Sequence, residues 1–191
     1  MGTFVVGFPK GKNYVIGYKI IEKLLNENNT VYIITSNDAR LSFEDEMQVE
    51  FKRAFDDLNV LPGTVVYEDI NDNNSQLINN ISSVDGFIIS SFDNKYKELD
   101  SPFNLQDFVI NSCFETNKKV VLIYNKNNFN TFDLYKMHDF STKGALIYTW
   151  SLDFMSKDAI INIHLRNFVS SILDNFTINT PINKEWDPSC E

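Results

Sequence analysis

Six short runs of β-branched and aromatic residues, separated by longer stretches of helical period, constrain the fold of this chain more than any other feature. They are Thr3-Phe4-Val5-Val6, Val31-Tyr32-Ile33-Ile34, Val65-Val66-Tyr67, Phe87-Ile88-Ile89, Val120-Val121-Leu122-Ile123-Tyr124 and Leu146-Ile147-Tyr148. Each is almost continuously apolar, which is the pattern of a strand covered on both faces. Between the first two runs, Ile16, Ile20, Ile21, Leu24 and Leu25 fall on one helical stripe that Asn28-Asn29 stops. Ser42, with Asp45 three residues on, predicts a capped helix in which Phe43, Met47, Phe51 and Phe55 recur every four residues as far as Pro62-Gly63. Asn104 to Asn117 carries Leu105, Phe108, Val109 and Cys113 at helical spacing, and Asp158 to Asn175 carries Ile160, Ile163, Val169, Ile172 and Leu173.

Strands that alternate with helices of this length imply right-handed βαβ crossovers, which put helices on both faces of a parallel sheet. The expected fold class is therefore α/β, a three-layer, doubly wound parallel sheet of about six strands, flavodoxin/Rossmann-like. With 191 residues there is room for one such domain, expected over residues 1–176, and residues 177–191 read as a C-terminal tail without periodicity. An aromatic content of 14% excludes a disordered chain, because that much buriable ring area drives collapse. The formal charge of -9 excludes a duplex-backbone binder, since no Lys/Arg cluster is present to displace counterions; no nucleic-acid partner is expected. No apolar run approaches the roughly 20 residues of a membrane span, so no membrane partner is expected either. Cys113 and Cys190 form no C-x-x-C pair and no disulfide framework, and the N-terminus has no signal-peptide pattern, so the expected location is cytoplasmic.

In open parallel sheets, ligands bind beyond the carboxyl ends of the strands. Gly7-Phe8-Pro9-Lys10-Gly11-Lys12-Asn13 follows the first strand and feeds a helix, whose free N–H groups and dipole suit a phosphate. It is not a P-loop, because Gly7 to Gly11 is one residue short and Asn13 stands where a hydroxyl would hold magnesium. Nor is it G-x-G-x-x-G, since the next glycine is Gly17; a plain βα turn is the alternative reading. Thr35-Ser36-Asn37-Asp38 brings two hydroxyls to the second strand end, Ser90-Ser91-Phe92-Asp93-Asn94 follows the fourth and Tyr124-Asn125-Lys126-Asn127-Asn128 the fifth. The hydroxyls of Thr35 and Ser36 suit a mononucleotide phosphate, with Asp38 keeping a dinucleotide open, while the amides and hydroxyls of the other two loops suit a polar ring edge or a carboxylate and equally suit ordinary turns. His138 and His164 lie in helical stretches without a metal-ligand pattern, so no metal is expected. Glu44-Asp45-Glu46 reads as a solvated helix start, and Cys113 as a small core residue.

The order of these loops resembles the homo-oligomeric flavin-containing cysteine decarboxylases, a family that includes phosphopantothenoylcysteine decarboxylase and the lantibiotic peptide decarboxylases. The likeness runs from Phe4 to about Phe176. Val65-Val66-Tyr67-Glu68-Asp69-Ile70 and Asp85-Gly86-Phe87-Ile88-Ile89-Ser90 resemble the segment leading into the family's P-A-S-A-N loop, which here reads Ser90-Ser91-Phe92-Asp93-Asn94. The P-x-M-N motif would be Tyr124-Asn125-Lys126-Asn127. The resemblance implies an FMN cofactor with Gly11, Lys12, Asn13, Thr35 and Ser36 around its phosphate, Ser90, Ser91 and Asn94 along its ring, and Asn127 on a substrate carboxylate. It also implies a homo-oligomer acting on a small-molecule or peptide substrate, by oxidative decarboxylation of a C-terminal cysteine. The family's active-site histidine would fall near Gln76-Leu77-Ile78, where none stands; both signature loops lack proline, and Ser151 to Asp158 does not match the substrate clamp.

Two rival readings belong to other classes. An inactive regulatory or interaction paralogue on the same scaffold follows from the missing histidine. A nicotinamide-dependent short-chain reductase is suggested by Arg40 and Ser156-Lys157, although its Tyr-x-x-x-Lys pair would need tyrosine at Asp153.

Overall fold

The computed structural model describes residues 1–8, 14–92, 104–124, 128–150 and 158–178, apart from the side chains of residues 91–92 and 158–162. All six expected strands form: β1 (Thr3–Phe8), β2 (Thr30–Thr35), β3 (Thr64–Asp69), β4 (Gly86–Phe92), β5 (Lys119–Tyr124) and β6 (Leu146–Thr149). Every neighbouring pair is parallel and the order across the sheet is β3-β2-β1-β4-β5-β6. The chain thus starts at the centre, winds outward to β3, then returns past β1 and winds the other way. The reversal lies between β1 and β4, where adjacent crossovers leave on opposite faces and open a crevice at the carboxyl ends.

The period-2 alternation of the strands divides the core into two layers. Val6, Phe8, Ile33, Ile88 and Ile123 face one side, with α1 (Tyr14–Asn26), α2 (Asn37–Met47), α3 (Phe51–Asp56) and α7 (Asp158–Asp174) packed over them. Val5, Ile34, Phe87, Ile89 and Leu122 face the other, under α4 (Gln76–Asn79), α5 (Leu105–Glu115) and α6 (Thr131–Thr142). The central strands are buried on both faces, as continuous apolar runs require. The outer strands differ: β3 and β6 have one neighbour each, and Thr64, Tyr67, Asp69 and Thr149 are exposed. Among the described residues no helix is long and apolar enough to cross a membrane.

The helix expected from Ser42 to Pro62-Gly63 is two helices and a short 3-10 turn. Ser36, not Ser42, caps α2, its Oγ accepting from Ala39 N at 3.1 Å. Ser36 follows β2 directly and so starts the helix six residues earlier than the Ser42 signature suggests. Gln48 then turns left-handed, with φ 53°, and ends α2 without a glycine. The chain restarts at Phe51, whose N–H donates to Glu44 Oε1 at 2.9 Å. The four-residue phenylalanine spacing therefore serves two short helices folded against each other, with Phe43 and Phe51 centroids 5.3 Å apart and Phe51 and Phe55 4.1 Å apart.

Cys113 packs on the buried stripe of α5, as its spacing implies. Loss of water around its sulfur pushes the thiol up to about 11, against a smaller opposing pull from Lys118. A thiol that stays protonated in the native state is a poor nucleophile. In a Cys190→Ser variant, Cys113 is expected to resist a maleimide at pH 8 and to react once urea unfolds the chain. The folded value lies above the ordinary 9.0, so the unfolded chain releases this proton first. The stability linked to Cys113 is therefore complete below about pH 9 and is lost as the pH climbs through about 11.

Candidate functional site

The carboxyl ends of the central strands build one rim. Phe8 at the end of β1 pairs with Thr35 of β2, which pairs in turn with Asp69 of β3. Gly7 pairs with Ile89 of β4, and the β4–β5 register slips between Ile89 and Phe92, around Ser90 and Ser91. Bulges of this kind re-aim a strand end and recur beside binding sites. Ser90 is fully buried, and its Oγ donates to Gly7 O at 3.0 Å. That bond ties β4 to β1 across the switch point, where the two chain directions part.

On the face carrying α1, close packing depends on Gly17. A Cβ there would lie 2.6 Å from Phe8 Cζ and 2.7 Å from Ser90 Cβ, so the missing side chain lets the helix start sit directly over the rim. The Tyr14 N–H of this helix donates to Glu46 Oε1 at 2.8 Å. Glu44-Asp45-Glu46 is consequently not a helix start. These residues close α2, and two of their carboxylates reach the amino ends of other helices, Glu46 at α1 and Glu44 at α3. Negative charge at a helix amino end is favourable, so the expected dipole stabilisation operates between elements.

On the opposite face, Gly7 makes room for a polar group. A Cβ built on it would stand 2.8 Å from Gln106 Oε1 and 3.3 Å from Gln106 Cδ. Gln106 is the second residue of α5 and is 8% exposed, and among the described residues its Oε1 is sealed from water with no hydrogen-bond donor. At the outer end of the rim, Trp150 donates its backbone N–H to Tyr124 O at 2.9 Å while its indole Nε1 is buried without a partner among the described residues. Arg40 stacks on Phe51, its guanidinium carbon 5.5 Å from the ring centroid, and its Nε likewise has no partner among the described residues. Among the described residues no group of three or more His, Cys, Asp or Glu converges as a metal site would require.

Of the residues singled out from the sequence, Thr35, Ser36 and Ser90 stand on this rim. Thr35 is fully buried, with Oγ1 donating to Ser36 O at 3.3 Å. Ser36 accepts the capping bond from Ala39, which uses an oxygen lone pair and not the hydroxyl hydrogen. Ser91 belongs to β4. Gly11, Lys12, Asn13, Asn94 and Asn127 lie outside the described residues, as do Asp153 and Ser156-Lys157. Gln76-Leu77-Ile78 falls at α4, with Leu77 fully buried. His138 and His164 are exposed on α6 and α7.

Gln106 escaped the sequence reading, and so did the role of Glu46. Gln106 shares a helical stripe with Val109, Ile110 and Cys113, so an uncharged polar residue on a core-facing stripe was the available signal. Glu46 had none, because its bond to Tyr14 spans 32 residues.

Three solved structures share this architecture over nearly the whole chain. One is a dodecameric FMN-dependent UbiX-like decarboxylase from Escherichia coli O157:H7, with TM-score 0.75 and 18% identity over 97% of this chain and 99% of that one. A second is AnUbiX (PadA1) in complex with FMN and dimethylallyl pyrophosphate, with TM-score 0.71 and 18% identity over 97% of each chain. The third is a phenylacrylic acid decarboxylase from Aquifex aeolicus, with TM-score 0.70 and 16% identity over 94% of this chain and 99% of that one. No family model matches the chain, and no curated protein matches it in sequence. At these identities the likeness defines the class of fold alone, a three-layer, doubly wound α/β domain.

Proposed function

We propose that the chain is an FMN-binding flavoprotein of the decarboxylase type, assembled as a homo-oligomer in the cytoplasm and acting on a small-molecule or peptide substrate. The observation that carries this reading is the end-to-end fold match to an FMN-dependent decarboxylase and to an FMN complex of a second protein, at TM-scores of 0.75 and 0.71. The rim fits such a group on its own terms. Gly7 makes room for the Gln106 side chain, and Gln106 Oε1 is a buried acceptor that needs a donor.

In this reading Gly11, Lys12 and Asn13 hold the phosphate together with Thr35 and Ser36. Ser36 keeps its hydroxyl hydrogen for an anionic oxygen while its lone pair caps α2. Ser90, Ser91 and Asn94 border the ring, with Ser90 fixed by its bond to Gly7. Asn127 donates its amide to a substrate carboxylate. When bound, the isoalloxazine supplies a two-electron redox centre, and the chain supplies orientation and shelter from water. The finer reading is a divergent peptidyl-cysteine decarboxylase. The fully buried Leu77, at the place where the resemblance would put a histidine, favours a non-catalytic scaffold as the second reading.

The test is the visible absorption of the purified protein and its titration with FMN and riboflavin. Flavin bands, or stoichiometric FMN uptake, are expected. Ser36→Ala is expected to weaken FMN about tenfold and to leave riboflavin unchanged, because one hydrogen bond to the phosphate is lost. A colourless protein that takes up no FMN overturns the cofactor, and bound nicotinamide fluorescence would point to the reductase instead. Turnover of cysteine-terminated peptides separates the enzyme from the scaffold.

A further inference from the structure

Gln106 is a buried amide in an arrangement that the packing alone does not account for. Among the described residues its Oε1 is sealed from water and has no donor, although buried acceptors are almost always paired. The neighbouring strand carries a glycine at the facing position, and glycine inside a strand weakens it unless something must approach closely. Gly7 therefore gives up a side chain, and the space is taken by an unsatisfied carbonyl at the switch point between β1 and β4. The backbone N–H donors nearby offer no relief: those of Gln106 and Asp107 are spent on Asn104 Oδ1, and that of Leu105 on Ile70 O.

We infer that Gln106 is the residue that reads the imide edge of the bound ring, an assignment that rests on the flavin reading above. A carboxamide presents one acceptor and one donor side by side, which is the complement of an N–H flanked by a carbonyl. Oε1 takes the ring's imide N–H and Nε2 donates to the adjacent ring oxygen. Turning the carboxamide toward the crevice exchanges an unpaired acceptor for a paired one, so the defect in the free protein becomes a source of affinity. Rings that lack an imide N–H leave the acceptor unpaired and are rejected.

The experiment compares FMN with N3-methyl-FMN, by quenching of flavin fluorescence, on the wild-type protein and on Gln106→Met. The wild type is expected to favour FMN by about tenfold or more, the worth of one buried hydrogen bond. Gln106→Met, similar in volume and without the orphaned acceptor, is expected to bind the two flavins within about twofold. Its flavin-free melting temperature is expected to hold within about 3 °C of wild type or to rise. Equal wild-type affinity for both flavins overturns the assignment while leaving the flavin reading intact, and so does discrimination that survives in Gln106→Met. A larger fall in the melting temperature of the flavin-free variant gives Gln106 to the fold and also overturns it. Failure of the wild type to bind either flavin removes the flavin reading and this assignment together.

Discussion

Phe55→Ala is expected to cost about 4 kcal/mol of folding stability, in the middle of the range for a core aromatic. Phe55 is 1% exposed and lies among five other rings, with centroids at 6.0 Å to Phe8, 5.8 Å to Tyr18, 5.5 Å to Phe43, 4.1 Å to Phe51 and 5.8 Å to Tyr67. These contacts come from β1, α1, α2, α3 and β3. Truncation therefore opens a cavity that no single element can collapse into, and it removes edge-to-face contacts beyond simple area burial. In urea, with a slope of about 2 kcal/mol per molar, the midpoint should fall by about 2 M. Phe55→Leu, which keeps most of the volume, should recover more than half of the loss. A midpoint shift below about 0.5 M for the alanine variant would mean that the ring cluster is not a shared core of these elements.

The same cluster marks what the sequence made legible and what it hid. Strands buried on both faces must be written as continuous apolar runs, and no helix of ordinary amphipathicity is written that way; hence all six were readable, with their parallel arrangement. The phenylalanines at four-residue spacing were also correctly seen as apolar and buried, but spacing carries no information on whether the backbone between them is continuous. Gln48 interrupts it in a left-handed conformation that glycine or asparagine usually announces, so the break had no local signature. Of α6, with only Asp133 fully buried, the composition gives almost no periodic trace. Its capping box of Asn130 and Asp133 is the stronger signal.

The candidate site was legible at the level of place. Loops after parallel strands lie on one rim by topology, so Thr35, Ser36 and Ser90 were bound to meet there. What those residues do locally was not legible. Ser90 spends its hydroxyl on Gly7, 83 residues away, and Glu46 reaches the start of α1 from the far end of α2. Such bonds depend on how elements dock, and a pattern of residue types within one segment does not contain them. Gln106 is the intermediate case: its burial follows from helical spacing, while its missing donor follows only from the three-dimensional neighbourhood.

Gly17→Val is the second large effect, and it joins stability to the site. Helix α1 presses against β1 and β4 through this residue, since a Cβ would meet Phe8 Cζ at 2.6 Å, Ser90 Cβ at 2.7 Å and Ser90 Oγ at 2.8 Å. Both neighbours are buried and neither has room to retreat: Phe8 stacks against Tyr14 at 6.0 Å, and Ser90 is bonded to Gly7. Overpacking of this kind costs about 3 kcal/mol, and the helix must lift from the rim. A merely unfavourable helix residue behaves differently, because replacing glycine by alanine in a helix interior gains about 1 kcal/mol of propensity. Gly17→Ala is therefore diagnostic: contact predicts a loss in spite of the propensity gain. In a Phe8→Leu background the Cζ atom is gone, so the same alanine should cost about 1 kcal/mol less, a coupling that a double-mutant cycle reads directly. Stabilisation by Gly17→Ala in the wild-type background would show that α1 does not rest on the rim, and the carboxyl-end crevice would lose the wall that Gly17 allows it.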